Sequence, residues 1–167
     1  MFLALFAAMT LLVDDTPAPD PVNLLPDGRY VEDLPEGSDA CADASRRYFE
    51  LVPGAEGDAE DRGRFRADFG DGTPIDMELA MSSMHPRELA GGEVQGVGVI
   101  QARGPSGERL AMTLLMTRDG RYNVAQVQIM AADQDPITPV RMEEDPLPHG
   151  IASDGTALEP FVACGTE

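Results

Sequence analysis

From Arg64 to Ala131 apolar and polar residues alternate with a period of two, the pattern of strands with one covered face. Phe65, Ala67 and Phe69 alternate with Arg64, Arg66 and Asp68. After the turn Gly70-Asp71-Gly72-Thr73-Pro74, Ile75, Met77, Leu79 and Met81 alternate with Asp76, Glu78, Ala80 and Ser82, which predicts a hairpin. Ser83 to Gly92 reads as a crossover with one helical turn at Pro86 to Leu89. Three more strands are expected over Glu93 to Arg103, Glu108 to Thr117 and Tyr122 to Ala131, the last two joined by the hairpin signal Asp119-Gly120. Leu110 to Met116 is apolar on both faces, as in a central strand covered on both sides.

Ahead of these strands the period lengthens. Ser38 or Asp39 is placed to cap a helix running through Ala40, Ala44, Arg47, Tyr48, Leu51 and Val52 and stopping at Pro53-Gly54. Gly28 to Leu34 reads as a short edge strand. The expected fold is therefore α+β, one N-terminal helix packed on a curved antiparallel sheet of about five strands. This element order resembles that of cystatin-like and nuclear-transport-factor-like domains, a likeness of architecture that implies no function.

The expected organisation has four parts. Residues 1–13 form a signal peptide or apolar N-terminal segment, and 14–37 an acidic Pro-rich strap. The α+β domain spans 38–132, and 133–167 form an acidic Pro-rich arm tied back by a disulfide. Prolines at 17, 19, 21, 26 and 35, and again at 136, 139, 146, 148 and 160, favour extended backbone in both arms.

Charge follows the same division. The 167 residues carry a net charge of −18. Residues 14–61 contribute −11 and residues 133–167 contribute −7, while 62–132 balance to zero. All twelve basic residues are Arg. Nucleic acid is excluded as a generic partner, because it is bound through clustered basic residues that outweigh the acids.

Met1 to Val13 (MFLALFAAMTLLV) is too short to span a bilayer but has the length of a signal-peptide apolar region, although no basic residue precedes it. The two cysteines, Cys41 and Cys164, lie far apart without CxxC spacing, which suits one structural bridge in an oxidising compartment. Both features point to a periplasmic or secreted protein with no stable membrane span.

Candidate chemistry is sparse. Asp68-Phe69-Gly70 spells a kinase triplet without any of its companion motifs. Asp68, Asp71 and Asp76 around one turn are candidate cation ligands, though their spacing departs from a calcium loop. Met81, Met84 and His85 combine thioether and imidazole groups suited to copper. His85 and His149 stand in no nucleophile or metalloprotease motif. Gly96 and Gly98 clear one face of a strand, and with Met77, Met81, Met112 and Met116 form a possible ligand groove lined by adaptable side chains. No catalytic, cofactor-binding or metal residue is assigned and no cofactor is expected. The expected function is an exported non-catalytic domain that binds a protein partner or a small apolar ligand on its sheet. The alternatives are a small enzyme with a carboxylate-based site in the sheet concavity and a structural subunit anchored by its apolar N-terminus.

Overall fold

The alternation that is conspicuous after Arg64 begins much earlier, at Gly28, and it closes on itself. A computed structural model describes residues 25–34, 39–56, 62–70, 73–89, 92–134 and 157–165. The segment 1–13, most of the strap 14–37 and residues 135–156, including His149, lie outside the described residues. Eight strands form a closed antiparallel barrel in sequence order. They are β1 (Gly28–Glu32), β2 (Tyr48–Val52), β3 (Arg64–Asp68), β4 (Ile75–Leu89), β5 (Val94–Arg103), β6 (Arg109–Thr117), β7 (Tyr122–Met130) and β8 (Phe161–Cys164).

The barrel corrects the α+β expectation at its helix. Asp39 does cap, its side chain accepting a bond from the Cys41 amide, but it caps a single 3-10 turn at Ala40–Ala42. Asp43 then takes the amide and hydroxyl of Ser45 into a local turn that ends the helical run. Tyr48 to Val52 forms β2, with Phe49 and Leu51 buried inward and Tyr48 and Glu50 outward. Aromatic and β-branched residues in alternation favour a pleated strand, and the i, i+3, i+4 stripe read from the sequence overlaps that pattern over so short a run.

The expected edge strand is also corrected. β1 lies between β2 and β8, so it has no free edge over its paired residues. The crossover at 83–92 is likewise strand, since β4 runs on to Leu89 against β5. A bulge shifts the register between Leu79 and Met81. Leu79 faces inward opposite Ala102, whereas Met81 faces outward opposite Gln101. Beyond the bulge the phase is reversed, so Met84 is inside and His85 outside.

The interior is filled by side chains. Strands β1, β2, β3 and β8 supply Tyr30, Phe49, Phe65 and Phe161, and Phe69 follows β3. Tyr30 stacks on Phe49 at 4.5 Å between ring centres, Phe161 lies 5.4 Å from Phe49, and Tyr122 meets Tyr30 edge-on at 5.1 Å. The longer strands β4 to β7 contribute Leu79, Ile100, Leu110, Met112, Leu114 and Val124. One half of the core is thus aromatic and the other aliphatic. Truncating Phe49, which is fully buried, removes contacts worth about 3–5 kcal/mol.

Charges occupy the outside of the short strands. Arg29, Glu50, Arg66 and Asp76 stand in one cross-strand row of alternating sign. Arg64 reaches Asp76 at 2.6 Å, and Arg66 lies 3.6 Å from Asp76. Such exposed pairs contribute about 0–1 kcal/mol each. At the β2–β3 connection Gly63 has φ +87, and a Cβ there would come within 2.2 Å of the Val52 carbonyl oxygen, so no other residue fits.

Closure depends on β8. It takes four ladder pairs with β1 but, among the described residues, a single one with β7, Tyr122 to Phe161. A disulfide joins Cys164 at the end of β8 to Cys41 in the 3-10 turn, across 123 residues. Chain-entropy reasoning assigns such a bridge roughly 4–5 kcal/mol, an upper figure.

Candidate functional site

The ionisable groups at one end of the barrel are bound to one another. Glu32, 4% exposed, faces the interior end opposite Phe161. Its Oε1 accepts from the Glu159 amide at 2.9 Å and from Arg47 Nη1 at 3.5 Å. Arg46 donates to the Glu32 carbonyl at 3.1 Å and to Asp43 at 3.3 Å. A buried carboxylate with this set of donors is a structural plug, since its lone pairs and its charge are already used. Nothing in the sequence pattern marked it, because Glu32 and the two arginines are 14 or more residues apart.

The residues expected to form a ligand groove do not share a face. Met77 and Met116 pack against the core and Met112 is fully buried within it, but Met81 is outside and 41% exposed. The space cleared by Gly96 and Gly98 is occupied. A Cβ at Gly96 would meet Met84 at 3.0 Å and Met116 at 3.3 Å; one at Gly98 would meet Met84 at 3.0 Å and Leu114 at 3.2 Å. The two glycines therefore make room for Met84, which the bulge turns inward.

The copper candidates are separated by the same bulge. Met84 is inside, while Met81 and His85, both outside, stand four residues apart on a strand, about 13 Å. Asp68 accepts the Gly70 amide at 2.8 Å in a local turn, Asp76 is paired with Arg64 and Arg66, and Asp71 lies outside the described residues. Among the described residues no group of three or more His, Cys, Asp or Glu is placed to hold a metal. Ser106 is a turn residue whose amide donates to Glu108.

Room for a ligand lies outside the barrel, at the bulge. Ala80, the extra residue of β4, borders a cleft of about 390 Å³ lined also by Gln101, Arg103, Arg109, Ala111 and Met130. The small side chains of Ala80 and Ala111 help leave this hollow, and bulges recur beside functional sites, where they re-aim side chains. Arg103 and Arg109 are directly opposite each other across β5 and β6. Arg109 donates to the Gln134 carbonyl, held in a turn by the bond from the Ala131 amide to Gln134 Oε1. Its Nε–H is buried without an acceptor, a cost of about 1–3 kcal/mol. Arg62 donates to the Ala80 carbonyl at 3.5 Å from the adjoining side. The sequence left two registers open: a turn of Gly104 to Gly107 sets Arg103 opposite Glu108, and the turn one residue longer that the structure shows sets it opposite Arg109. At the opposite end of these strands lie two more hollows, an open one of about 630 Å³ lined by Gly92, Glu93, Thr117, Arg118 and Asp119, and one of about 300 Å³ lined by Pro86, Arg87, Gly92, Gln95 and Arg118.

Two phenols titrate abnormally. Burial, helped by the nearby Tyr122, pushes the Tyr30 hydroxyl well above its ordinary range, and burial raises Tyr122 as well. Tyr30 donates to the Pro26 carbonyl at 2.7 Å. Both serve the core.

Among the described residues no helix is long and apolar enough to cross a membrane. The charged outer row on five-residue strands is also the reverse of a lipid-facing barrel wall. No protein-family model, curated protein or solved structure matches the chain.

Proposed function

We propose that this chain is a non-catalytic binding domain of an oxidising compartment, periplasmic or secreted, which takes its ligand on the outside of the barrel. The observation that carries the reading is the contrast between a filled interior and the open cleft made by the bulge at Ala80. Eight-stranded barrels that hold a ligand inside leave a cavity there, whereas here aromatic rings and Met84 fill it. The buried acid Glu32 is committed to Arg47 and to backbone, which leaves it unsuited to proton transfer. The disulfide and the apolar run Met1 to Val13 support export.

The test is a fragment screen of small neutral apolar compounds followed by methyl and amide NMR. Saturable shifts are expected at Ala80, Gln101 and Ala111. Shifts concentrated at Met112, Leu114 and Phe49 would place the ligand inside the barrel and overturn the reading.

A further inference from the structure

We propose that the cleft at the bulge is an anion site, for a small organic acid whose two-oxygen head lies between Arg103 and Arg109 and whose short apolar body lies over Ala80, Ala111 and Met130. This rests on the reading of the barrel as an outside binder, and names what it binds.

The arrangement runs against both composition and sheet chemistry. Like charges directly opposite on neighbouring strands destabilise a sheet, and the chain has thirty carboxylates to separate or neutralise twelve arginines. On β1 to β4 it does so, in the alternating row of Arg29, Glu50, Arg66 and Asp76. At Arg103 and Arg109 it does not. Glu78 is in register with Arg103 but forms no ion pair among the described residues, and Glu108, at the turn between the arginines, accepts from the Ser106 amide. A broken local rule of this kind is expected where a site is built.

The geometry suits an acid. Guanidinium groups bind carboxylate and phosphate through paired, charge-assisted hydrogen bonds. The Gln134 carbonyl already anchors one edge of Arg109, so less freedom is lost when an anion arrives. The alanines leave space for more than the head: about 390 Å³ holds a chain of several carbons besides it. Glu78 and Glu108 stand close enough to offset part of the positive field, while carboxylates farther than about 8 Å are screened at physiological salt.

The experiment is an NMR and calorimetric titration of the intact, disulfide-bonded protein with octanoate, octyl phosphate and octanol. Octanoate or octyl phosphate should bind at least tenfold more tightly than octanol, with saturable shifts at Ala80, Ala111 and the Arg109 Nε–H. The tighter of the two acids identifies the head group. Arg103→Gln should weaken that binding at least tenfold, and Arg103→Gln/Arg109→Gln should abolish it. Arg87→Gln/Arg118→Gln, which removes the same charge at the opposite end, should leave it unchanged. Ala111→Leu fills the cleft while keeping both arginines and should also abolish binding, which carries the test if the double arginine variant does not fold. Equal affinity for octanol and the acids overturns the anion site but leaves outside binding standing. Acid binding that survives in Arg103→Gln/Arg109→Gln overturns the anion site too. Absence of any saturable shift at the cleft overturns both.

Discussion

Tyr30 joins three parts of the core, stacking on Phe49, meeting Tyr122 edge-on and reaching the backbone ahead of β1 through Pro26. Its raised pKa has a definite sign in stability. The fold holds the phenol protonated, while the unfolded chain ionises at about 10. The stabilisation is therefore complete below pH 10 and is lost as pH rises beyond it. Tyr30→Phe should lose about 1 kcal/mol at pH 7 with the Pro26 hydrogen bond, yet show a shallower decline in urea midpoint between pH 9 and 11.5. Tyr122 keeps part of the slope. An equally steep decline in the variant would assign the alkaline sensitivity elsewhere. Single residues were also where the sequence was most legible: Cys41 and Cys164 form the expected bridge, and the alternating glycines do clear one face of β5. What fills that face, Met84, was hidden because a bulge leaves no mark on an Ala-Met-Ser-Ser-Met run.

Among elements, the hairpins with strong turn chemistry were readable and the weakly patterned ones were not. Asp119-Gly120 and the turn at Gly104 to Glu108 delimit β5, β6 and β7 close to their expected bounds. Gly120, at φ +80, adopts the conformation such a turn requires. Five residues of β2 carried too little periodicity to separate strand from helix, and Pro86 in β4 read as a break although it sits in the ladder opposite Gly96. The bulge in β4 is the decisive element, since it both builds the outer cleft and turns Met84 inward. Deleting Ala80 should remove the extra residue while keeping Leu79 inward opposite Ala102 and Met81 outward opposite Gln101, so Met84 stays in the core and only the outer cleft is lost. Urea denaturation is expected to show a loss well below the roughly 3 kcal/mol of removing a large core side chain. A loss of that size would mean that Met84 and its neighbours in β4 have left their register with β5.

For the molecule as a whole, the closed barrel was the least legible feature. β8 is four residues long, and its partners in β1 lie near the other end of the described chain, so no local pattern announces the pairing. The disulfide ties down the far end of β8, three residues beyond the one β7 to β8 pair found among the described residues. Reduction, or Cys41→Ala/Cys164→Ala, should cost about 2–5 kcal/mol, with hydrogen exchange accelerating first in β8 and β1 and last in β5 and β6. Uniform acceleration would show that the bridge stabilises the barrel globally. Protein taken from its own host and assayed under denaturing, non-reducing conditions should show no titratable thiols.

The placement of β8 also sets a timetable. Nearly 130 residues separate Glu32 from its partner Phe161, and at about 5–20 residues per second their synthesis takes on the order of ten seconds. Through that interval Tyr30, Phe49 and Phe65 have one another but lack Phe161, so the aromatic half of the core cannot be completed. The barrel is thereby held open by its own topology until its last strand has been made.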